Sequence, residues 1–377
     1  MSNYSTKSLQ EKTEKSSITN TLARAELVDM VPYQSARRLF ASGLDANTKG
    51  IENNKIWLNA NEAPGYGEYQ IEARNINRYP DFQPTALLNA YSDYCGLTKK
   101  QILATRGADE GIELIIRSFC RAYQDNILIC PPTYGMYAIS AQNHGAGIIS
   151  VPLVNNELNL NALAQQVGNA KVVFLCSPGN PTGNILPTEQ IVAAINLFKD
   201  TAIVVVDEAY IEFCPEQSAK SLLAEFDHLI ILRTLSKAFA LAGLRCGFTL
   251  ASNEVINLLS KVIAPYPIAA PVAELATKAL CLNLPVMIAR VIETNHLRDL
   301  LSQWLSEQTW CAEVFASDAN FVLFRCSSSE EKARLFELLV EHDVLIRDQS
   351  KQLQLAHCLR ISIGNKQELD KLKKLMS

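Results

Sequence analysis

Ala202-Ile203-Val204-Val205-Val206 runs without a break into Asp207-Glu208-Ala209-Tyr210, and this passage decides the fold. An apolar run dominated by β-branched residues, with no polar alternation, predicts a strand buried on both faces. The carboxylates that follow then lie at the strand's C-terminal end, where an open α/β sheet binds its ligands. Outward from this passage the pattern repeats. Residues 126–130, 171–176 and 229–232 are short runs rich in Val, Ile and Leu, and most end at polar or turn residues. Between such runs lie stretches of helical period; Ile112, Ile115, Ile116 and Phe119 fall at i, i+3, i+4 and i+7. Doubly buried strands joined by helices predict a mainly parallel α/β sheet.

The flanks read differently. Residues 1–25 are rich in Ser, Thr, Lys and Glu and are expected to form a flexible arm, with folded sequence starting near Leu27 or Val31. Towards the C-terminus, residues 313–315, 321–324, 344–347 and 359–363 read as strands. Ala333, Phe336, Leu339 and Val340 form one helical stripe; Leu369, Leu372, Leu375 and Met376 form another. This mixture predicts a smaller α+β domain. The expected division is an arm over 1–25, a segment over 26–80 shared between the small domain and dimer contacts, a large domain over 81–280 and a small domain over 281–377.

At 377 residues and 48% hydrophobic, the chain can bury more than one ordinary domain core. A formal net charge of -4 lacks the basic excess of a nucleic-acid binder. No apolar run is long enough to span a bilayer, and no secretory h-region is visible. The ten cysteines include no C-x-x-C pair and lie mostly inside apolar stretches, which predicts reduced, buried thiols in a cytoplasmic protein. The five histidines show no metal-ligand spacing, so no metal site is expected.

Four polar groups follow predicted strands or open a helix. Asp207, at a buried strand's end, is either a helix cap or structural ion pair, or the partner of a cationic ring nitrogen. Lys237, in Arg233-Thr234-Leu235-Ser236-Lys237, lies in largely apolar sequence that can lower its pKa and free its amine to attack an aldehyde. Ser236 and Arg245 beside it are neutral and cationic phosphate donors. Ser177-Pro178-Gly179-Asn180-Pro181-Thr182-Gly183 is a rigid loop that aims Asn180. Arg106-Gly107-Ala108-Asp109-Glu110-Gly111 opens the helix striped by Ile112 and Ile115, and a helix start offers an anion free N–H groups. Each feature alone also has a plain structural reading. Together they contain what pyridoxal 5'-phosphate requires: a lysine for its aldehyde, an acid for its pyridine nitrogen, an amide and a phenol for its hydroxyl, and phosphate donors.

The order Ser177-Pro178-x-Asn180-Pro181-Thr182-Gly183, Asp207-Glu208-Ala209-Tyr210, Ser236-Lys237 and Gly243-Leu244-Arg245-x-Gly247 resembles the fold-type I pyridoxal-phosphate aminotransferases. Within them the chain is similar to the histidinol-phosphate aminotransferase family of histidine biosynthesis. The likeness extends through Val31-Pro32-Tyr33-Gln34, Leu58-Asn59-Ala60-Asn61-Glu62, Asn77-Arg78-Tyr79-Pro80, Pro131-Pro132-Thr133-Tyr134, Ile346-Arg347-Asp348 and Leu359-Arg360-Ile361-Ser362. It covers nearly everything after the arm. The family often has Asn where this chain has Gly179, and position 63, here Ala, varies among relatives.

The resemblance implies an enzyme with a seven-stranded, mainly parallel sheet in its large domain, working as a homodimer with shared active sites. Lys237 would bind the cofactor as a Schiff base and act as the catalytic acid–base. Asp207 would meet the pyridine nitrogen, and Asn180 and Tyr210 the ring oxygen. Tyr134 would stack on the ring. Ser236, Arg245 and the backbone of Ala108 and Asp109 would hold the phosphate, with Tyr79 reaching it from the partner subunit. Arg360 would bind the carboxylate of glutamate and the phosphate of the other substrate, in a pocket completed by Tyr33, Asn320 and Arg347. The implied reaction is ping-pong transamination between glutamate/2-oxoglutarate and imidazole-acetol phosphate/L-histidinol phosphate.

Four other readings compete. Aromatic or broad-specificity aminotransferases, and a phosphothreonine decarboxylase, share the cofactor residues. The arginines at 347 and 360, with Tyr33, favour a phosphorylated substrate. A sensing protein without turnover would not need the complete cofactor set, and a nicotinamide-dependent dehydrogenase would carry a GxGxxG fingerprint, which is absent.

Overall fold

The computed structural model describes residues 55–64 and 76–377, together with Arg24, Leu27 and Met30. Apart from Arg24, the predicted arm over 1–25 lies outside the described residues, as do Val31 and Tyr33. Residues 1–33 and 34–377 are two compact units, and every strand among the described residues lies in the second.

Among the described residues the strands are β1 (Ile56–Trp57), β2 (Ile102–Thr105), β3 (Asn126–Ile129), β4 (Gly147–Ser150), β5 (Val172–Cys176), β6 (Ile203–Asp207), β7 (Leu229–Thr234), β8 (Gly247–Ala251), β9 (Cys311–Val314), β10 (Phe321–Cys326), β11 (Val344–Leu345), β12 (Arg347–Asp348) and β13 (Cys358–Ser362). The large sheet has seven strands in the order β2-β8-β7-β6-β5-β3-β4. Strand β8 runs antiparallel to both its neighbours, β2 and β7, while the pairs from β7 to β4 are parallel. A four-stranded antiparallel sheet has the order β12-β13-β10-β9, and β1 pairs in parallel with β11.

The apolar runs are buried on both faces, as their lack of alternation predicts. Val173 and Leu175 of β5, Val204 and Val206 of β6, and Leu229 and Ile231 of β7 join one core cluster. Val172 and Phe174, Val205, and Ile230 and Leu232 point the other way into a second. Burying each such side chain contributes about 1.5–3 kcal/mol, which holds the central strands in place against the entropy of ordering them. A third cluster, containing Leu301, Phe324, Leu339, Leu359 and Leu372, lies behind the four-stranded sheet.

Several elements depart from, or were not part of, the sequence-based expectations. Residues 344–347 do not form one strand. Val344 and Leu345 pair with Ile56 and Trp57, whereas Arg347 pairs across from Arg360 in the other sheet, with buried Ile346 between. The chain changes partner there because β1 comes from the distant segment 55–64, which no local pattern reveals. Strands β2, β4 and β8 also escape the apolar-run reading. Finally, the helices Ala270–Leu282 and Leu284–Ser306, the second 23 residues long, follow the large sheet. No single helix among the described residues is long and apolar enough to cross a membrane.

Candidate active site

The register of the large sheet brings the polar ends together. Cys176, the last residue of β5, lies across from Asp207, the last of β6, and Asp207 lies across from Leu232 of β7. The loops carrying Asn180, Tyr210 and Lys237 therefore leave one edge. Strand β8 is antiparallel, so its beginning is at that same edge. Gly247 pairs with Thr105 on one side and Thr234 on the other, which delivers Arg245 beside the start of the helix Gly107–Phe119. Only glycine allows this approach. A Cβ at Gly247 would come 2.7 Å from the Ala108 nitrogen, and one at Gly107, whose φ is +76°, would come 2.7 Å from Arg245 Nη2.

Asp207 is buried. Its Oδ2 accepts from Tyr137 Oη at 2.7 Å and its Oδ1 from the Ala209 backbone N–H at 3.1 Å. Burial pushes its carboxyl up to about 6; Tyr137 and the Ala209 amide work against that, and Asp109 and Glu208 add to it. Its neighbour Glu208 shows the contrast. Glu208 Oε2 accepts from Arg233 Nε at 2.9 Å and Nη2 at 2.8 Å, and its Oε1 from the Ala219 N–H at 2.6 Å. Of two adjacent buried carboxylates, one is matched to an arginine inside the fold. The other is held by neutral donors at the ligand edge.

Lys237 is half-buried, and its Nζ donates to the Ala60 carbonyl at 3.3 Å and lies 5.6 Å from the Tyr210 ring centroid. Burial, and then the positive charge of Arg360, push its amine down to about 8. Tyr210 is buried edge-on against Phe321, and its Oη accepts from Asn180 Nδ2 at 3.2 Å and Asn61 Nδ2 at 2.9 Å. Arg360 Nη1 donates to Asn180 Oδ1 at 2.6 Å, Nη2 to the Asn59 carbonyl at 3.3 Å, and the guanidinium lies 5.1 Å from the Phe321 ring centroid. Asn320 Nδ2 donates to the Asn61 carbonyl at 3.0 Å.

At the helix start, Arg245 Nη2 donates to Asp109 Oδ2 at 3.0 Å. The first-turn amides of Gly107, Ala108 and Asp109 have no intrahelical acceptor and share the positive end of the helix dipole. Buried Ser236 bonds Thr234 Oγ1 through both its N–H, at 3.1 Å, and its Oγ, at 2.9 Å. Tyr134 Oη donates to Asp109 Oδ1 at 3.1 Å, and its ring meets Tyr137 edge-on.

The structure thus brings together Lys237, Tyr210, Asn180, Arg360 and Asn320, and separately Ala108, Asp109, Ser236, Arg245 and Tyr134, along one edge. Arg347 is the register neighbour of Arg360. Tyr79 is 81% exposed and stacks on Tyr266, with ring centroids 4.4 Å apart. Tyr33 lies outside the described residues. Two residues given no role from the sequence also belong here: Tyr137, which holds Asp207, and Asn61, which holds Tyr210. Tyr137 lies one helical turn from Tyr134, and Asn61 within an asparagine-rich stretch, but neither position says what the side chain touches.

These residues fit pyridoxal phosphate. A cationic pyridine nitrogen supplies the positive partner that the buried Asp207 lacks among its contacts. A phosphate fits the helix start beside Ser236 and Arg245. An aldehyde meets an amine whose pKa is lowered.

The comparisons with known proteins agree. Residues 46–374 match the family model of the class I and II aminotransferases. A histidinol-phosphate aminotransferase of Colwellia psychrerythraea is 68% identical over 365 residues, covering 94% of this chain and 98% of the relative. One from Pectobacterium atrosepticum is 48% identical over 353 residues, covering 93% of this chain and 95% of the relative. In fold, the chain matches a histidinol-phosphate aminotransferase from Sinorhizobium meliloti, solved with pyridoxal-5'-phosphate, at a TM-score of 0.81 and 23% identity, covering 94% of this chain and 98% of that one. With the family model spanning the large sheet, the four-stranded sheet and every motif at the ligand edge, this chain belongs to the class I and II aminotransferases.

Proposed function

We propose that this chain catalyses the histidinol-phosphate aminotransferase reaction: glutamate gives up its amino group and leaves as 2-oxoglutarate, and imidazole-acetol phosphate is then aminated to L-histidinol phosphate. The relatives at 68% and 48% identity support the substrates. The observation that carries the chemistry is Asp207, a buried carboxylate with no cationic partner among the described residues, at the same sheet edge as Lys237, whose amine burial pushes down.

When bound, pyridoxal phosphate supplies an electron sink for charge developing at the substrate's α-carbon. Asp207 would hold a positive charge on the pyridine nitrogen and so sustain that sink. Lys237, partly neutral near pH 7–8, has the free amine needed to capture an aldehyde. The same amine would take the proton from the substrate's α-carbon, a role worth roughly 10²–10⁴ in rate. Asn180 and Tyr210 would hydrogen-bond the ring oxygen. Ser236, Arg245 and the Ala108 and Asp109 amides hold the cofactor phosphate, and Tyr134 covers the ring. Arg360, with Asn320 and Arg347 around it, receives the substrate's carboxylate or phosphate; its planar fork binds either anion by paired hydrogen bonds.

The active protein is a homodimer in which Tyr79 serves the partner subunit's phosphate site. Exposed Ile76, Tyr79, Phe82, Tyr266, Leu282 and Ile292 support this reading, since large apolar side chains left on the surface suit an interface. Mixing Lys237→Ala with Tyr79→Phe subunits restores activity if the sites are shared, and restores none if each subunit works alone. The ten cysteines, all unbonded, support a cytoplasmic location. Residues 81–280, holding the large sheet, and 281–377, holding the four-stranded sheet, are the large and small domains.

The test of the whole reading is an absorbance spectrum of the protein with pyridoxal phosphate, titrated with L-histidinol phosphate. A cofactor band that collapses at low L-histidinol phosphate, and less readily with tyrosine or phenylalanine, supports both cofactor and substrate. A band more sensitive to aromatic amino acids moves the substrate. The absence of a band overturns the role of Lys237.

A further inference from the structure

Hydrogen-bond logic around Tyr210 leaves its hydroxyl one use. Arg360 Nη1 lies 2.6 Å from Asn180 Oδ1, and a guanidinium only donates, so the Asn180 carbonyl faces the arginine and its amide nitrogen faces Tyr210. Asn61 is oriented the same way by Ser362. Ser362 Oγ accepts the Asn61 backbone N–H at 2.8 Å, and its own hydrogen goes to Asn61 Oδ1 at 3.1 Å. The Asn61 amide nitrogen is therefore turned to Tyr210 Oη, 2.9 Å away. A phenol has two acceptor sites and one hydrogen. Both acceptor sites are taken by amide donors, and only the hydrogen is left to give.

We propose that Asn61 is a positioning residue that locks Tyr210 as a hydrogen-bond donor to the ring oxygen of the cofactor. This rests on the cofactor reading above. The surroundings of Asn61 are built for such a role. It is 1% exposed, and its carbonyl accepts from Asn320 Nδ2 at 3.0 Å. Its φ is +53°, a left-handed conformation that glycine adopts freely and asparagine or aspartate only as single residues. The partners that fix it come from 149, 259 and 301 positions away in the chain. Arg360 and Asn320, which flank the same network, are the residues assigned to the substrate anion, so the donor state of Tyr210 is set from the substrate side of the site.

A donor fixed on the ring oxygen weakens that oxygen's hold on the proton it shares with the Lys237 nitrogen. Freeing the phenol to rotate strengthens that hold and raises the pH at which the bound cofactor loses the proton. The experiment compares wild type, Asn61→Gly and Asn61→Asp, each loaded with pyridoxal phosphate. The readouts are the pH midpoint of the cofactor's absorbance change and the melting temperature. Glycine keeps the left-handed backbone and removes the amide. Aspartate keeps the size but replaces the donor by an acceptor, to which the Tyr210 hydrogen turns. The expected midpoint rises by roughly half to one pH unit in Asn61→Gly, what one ordinary hydrogen bond is worth, and further in Asn61→Asp. A wild-type band with unchanged midpoints in both variants, whatever happens to their melting temperatures, overturns this inference alone. A wild-type protein with no band overturns the cofactor reading, and this inference with it.

Discussion

Replacing Tyr137 by phenylalanine removes one oxygen from the core and leaves Asp207 Oδ2 without its 2.7 Å donor. The packing changes little, because the Tyr137 ring is stacked on Phe174 with centroids 4.6 Å apart and phenylalanine keeps that contact. What changes is the charge balance of Asp207. A hydrogen bond to a charged group is worth about 1.5–3 kcal/mol, and about 1.4 kcal/mol corresponds to one pH unit. The Asp207 carboxyl, already pushed up to about 6, is expected to rise by about one to two pH units further. Binding of pyridoxal phosphate to the cofactor-free chain requires this group as an anion, so affinity falls on the acid side. In the wild type that fall centres near pH 6, and in Tyr137→Phe it moves above neutrality. The assay is the dissociation constant of pyridoxal phosphate from pH 5 to 9. Acid limbs that coincide within a few tenths of a pH unit would refute the reasoning. The same shift governs stability without cofactor. Asp207 holds its proton more tightly in the fold than its ordinary value of 3.8 allows, so its contribution is greatest below about pH 4 and is lost as pH rises through 6. Bound cofactor reverses that sign by supplying the missing cation.

Three further outcomes are expected. Gly247→Ala forces the start of the helix Gly107–Phe119 away from β8, since its Cβ would meet Gly107 at 2.6 Å; pyridoxal phosphate should bind at least tenfold more weakly in direct titration, while pyridoxal, which lacks the phosphate, loses much less. Glu208→Gln leaves the Arg233 cation buried without its carboxylate and should lower unfolding stability in urea by roughly 3–5 kcal/mol, towards the lower end because Glu212 remains as a second acid acting on Arg233. Arg347→Gln should raise KM for L-histidinol phosphate by roughly 10–100-fold, the loss of a charge-assisted hydrogen bond, while KM for glutamate moves by less than about threefold; equal losses for both substrates would remove Arg347 from the phosphate pocket.

Much of the molecule could be read from the chain alone, and for a local reason. A strand buried on both faces needs a continuous apolar run, so 171–176, 202–206 and 229–232 declare themselves, and the polar residues that end them fall at the ligand edge of any parallel sheet. The placement of Lys237, Asp207, Asn180 and Arg245 at the ligand edge was legible because their motifs follow one another in a recognisable order. Strands β2 and β8 were not, and with them went the reason Arg245 reaches the helix start. β8 is antiparallel, so its first residues, rather than its last, lie at the site. The apolar run of 344–347 looked like one strand, yet its two ends belong to different sheets.

What the tertiary structure alone decided is the pairing of polar groups across long stretches of chain. Asp207 and Glu208 are adjacent carboxylates that no pattern distinguishes; the fold gives Arg233 to one and Tyr137 to the other. Asn61 meets Tyr210 across 149 residues and Ser362 across 301. Hydrophobic periodicity is a property of neighbours in sequence, whereas a hydrogen bond depends on direction and on tenths of an ångström between distant segments. The chain therefore determined its class and the sheet edge at which Lys237, Asp207 and Asn180 gather, and packing determined which carboxylate is left without an arginine and which way each amide and hydroxyl points.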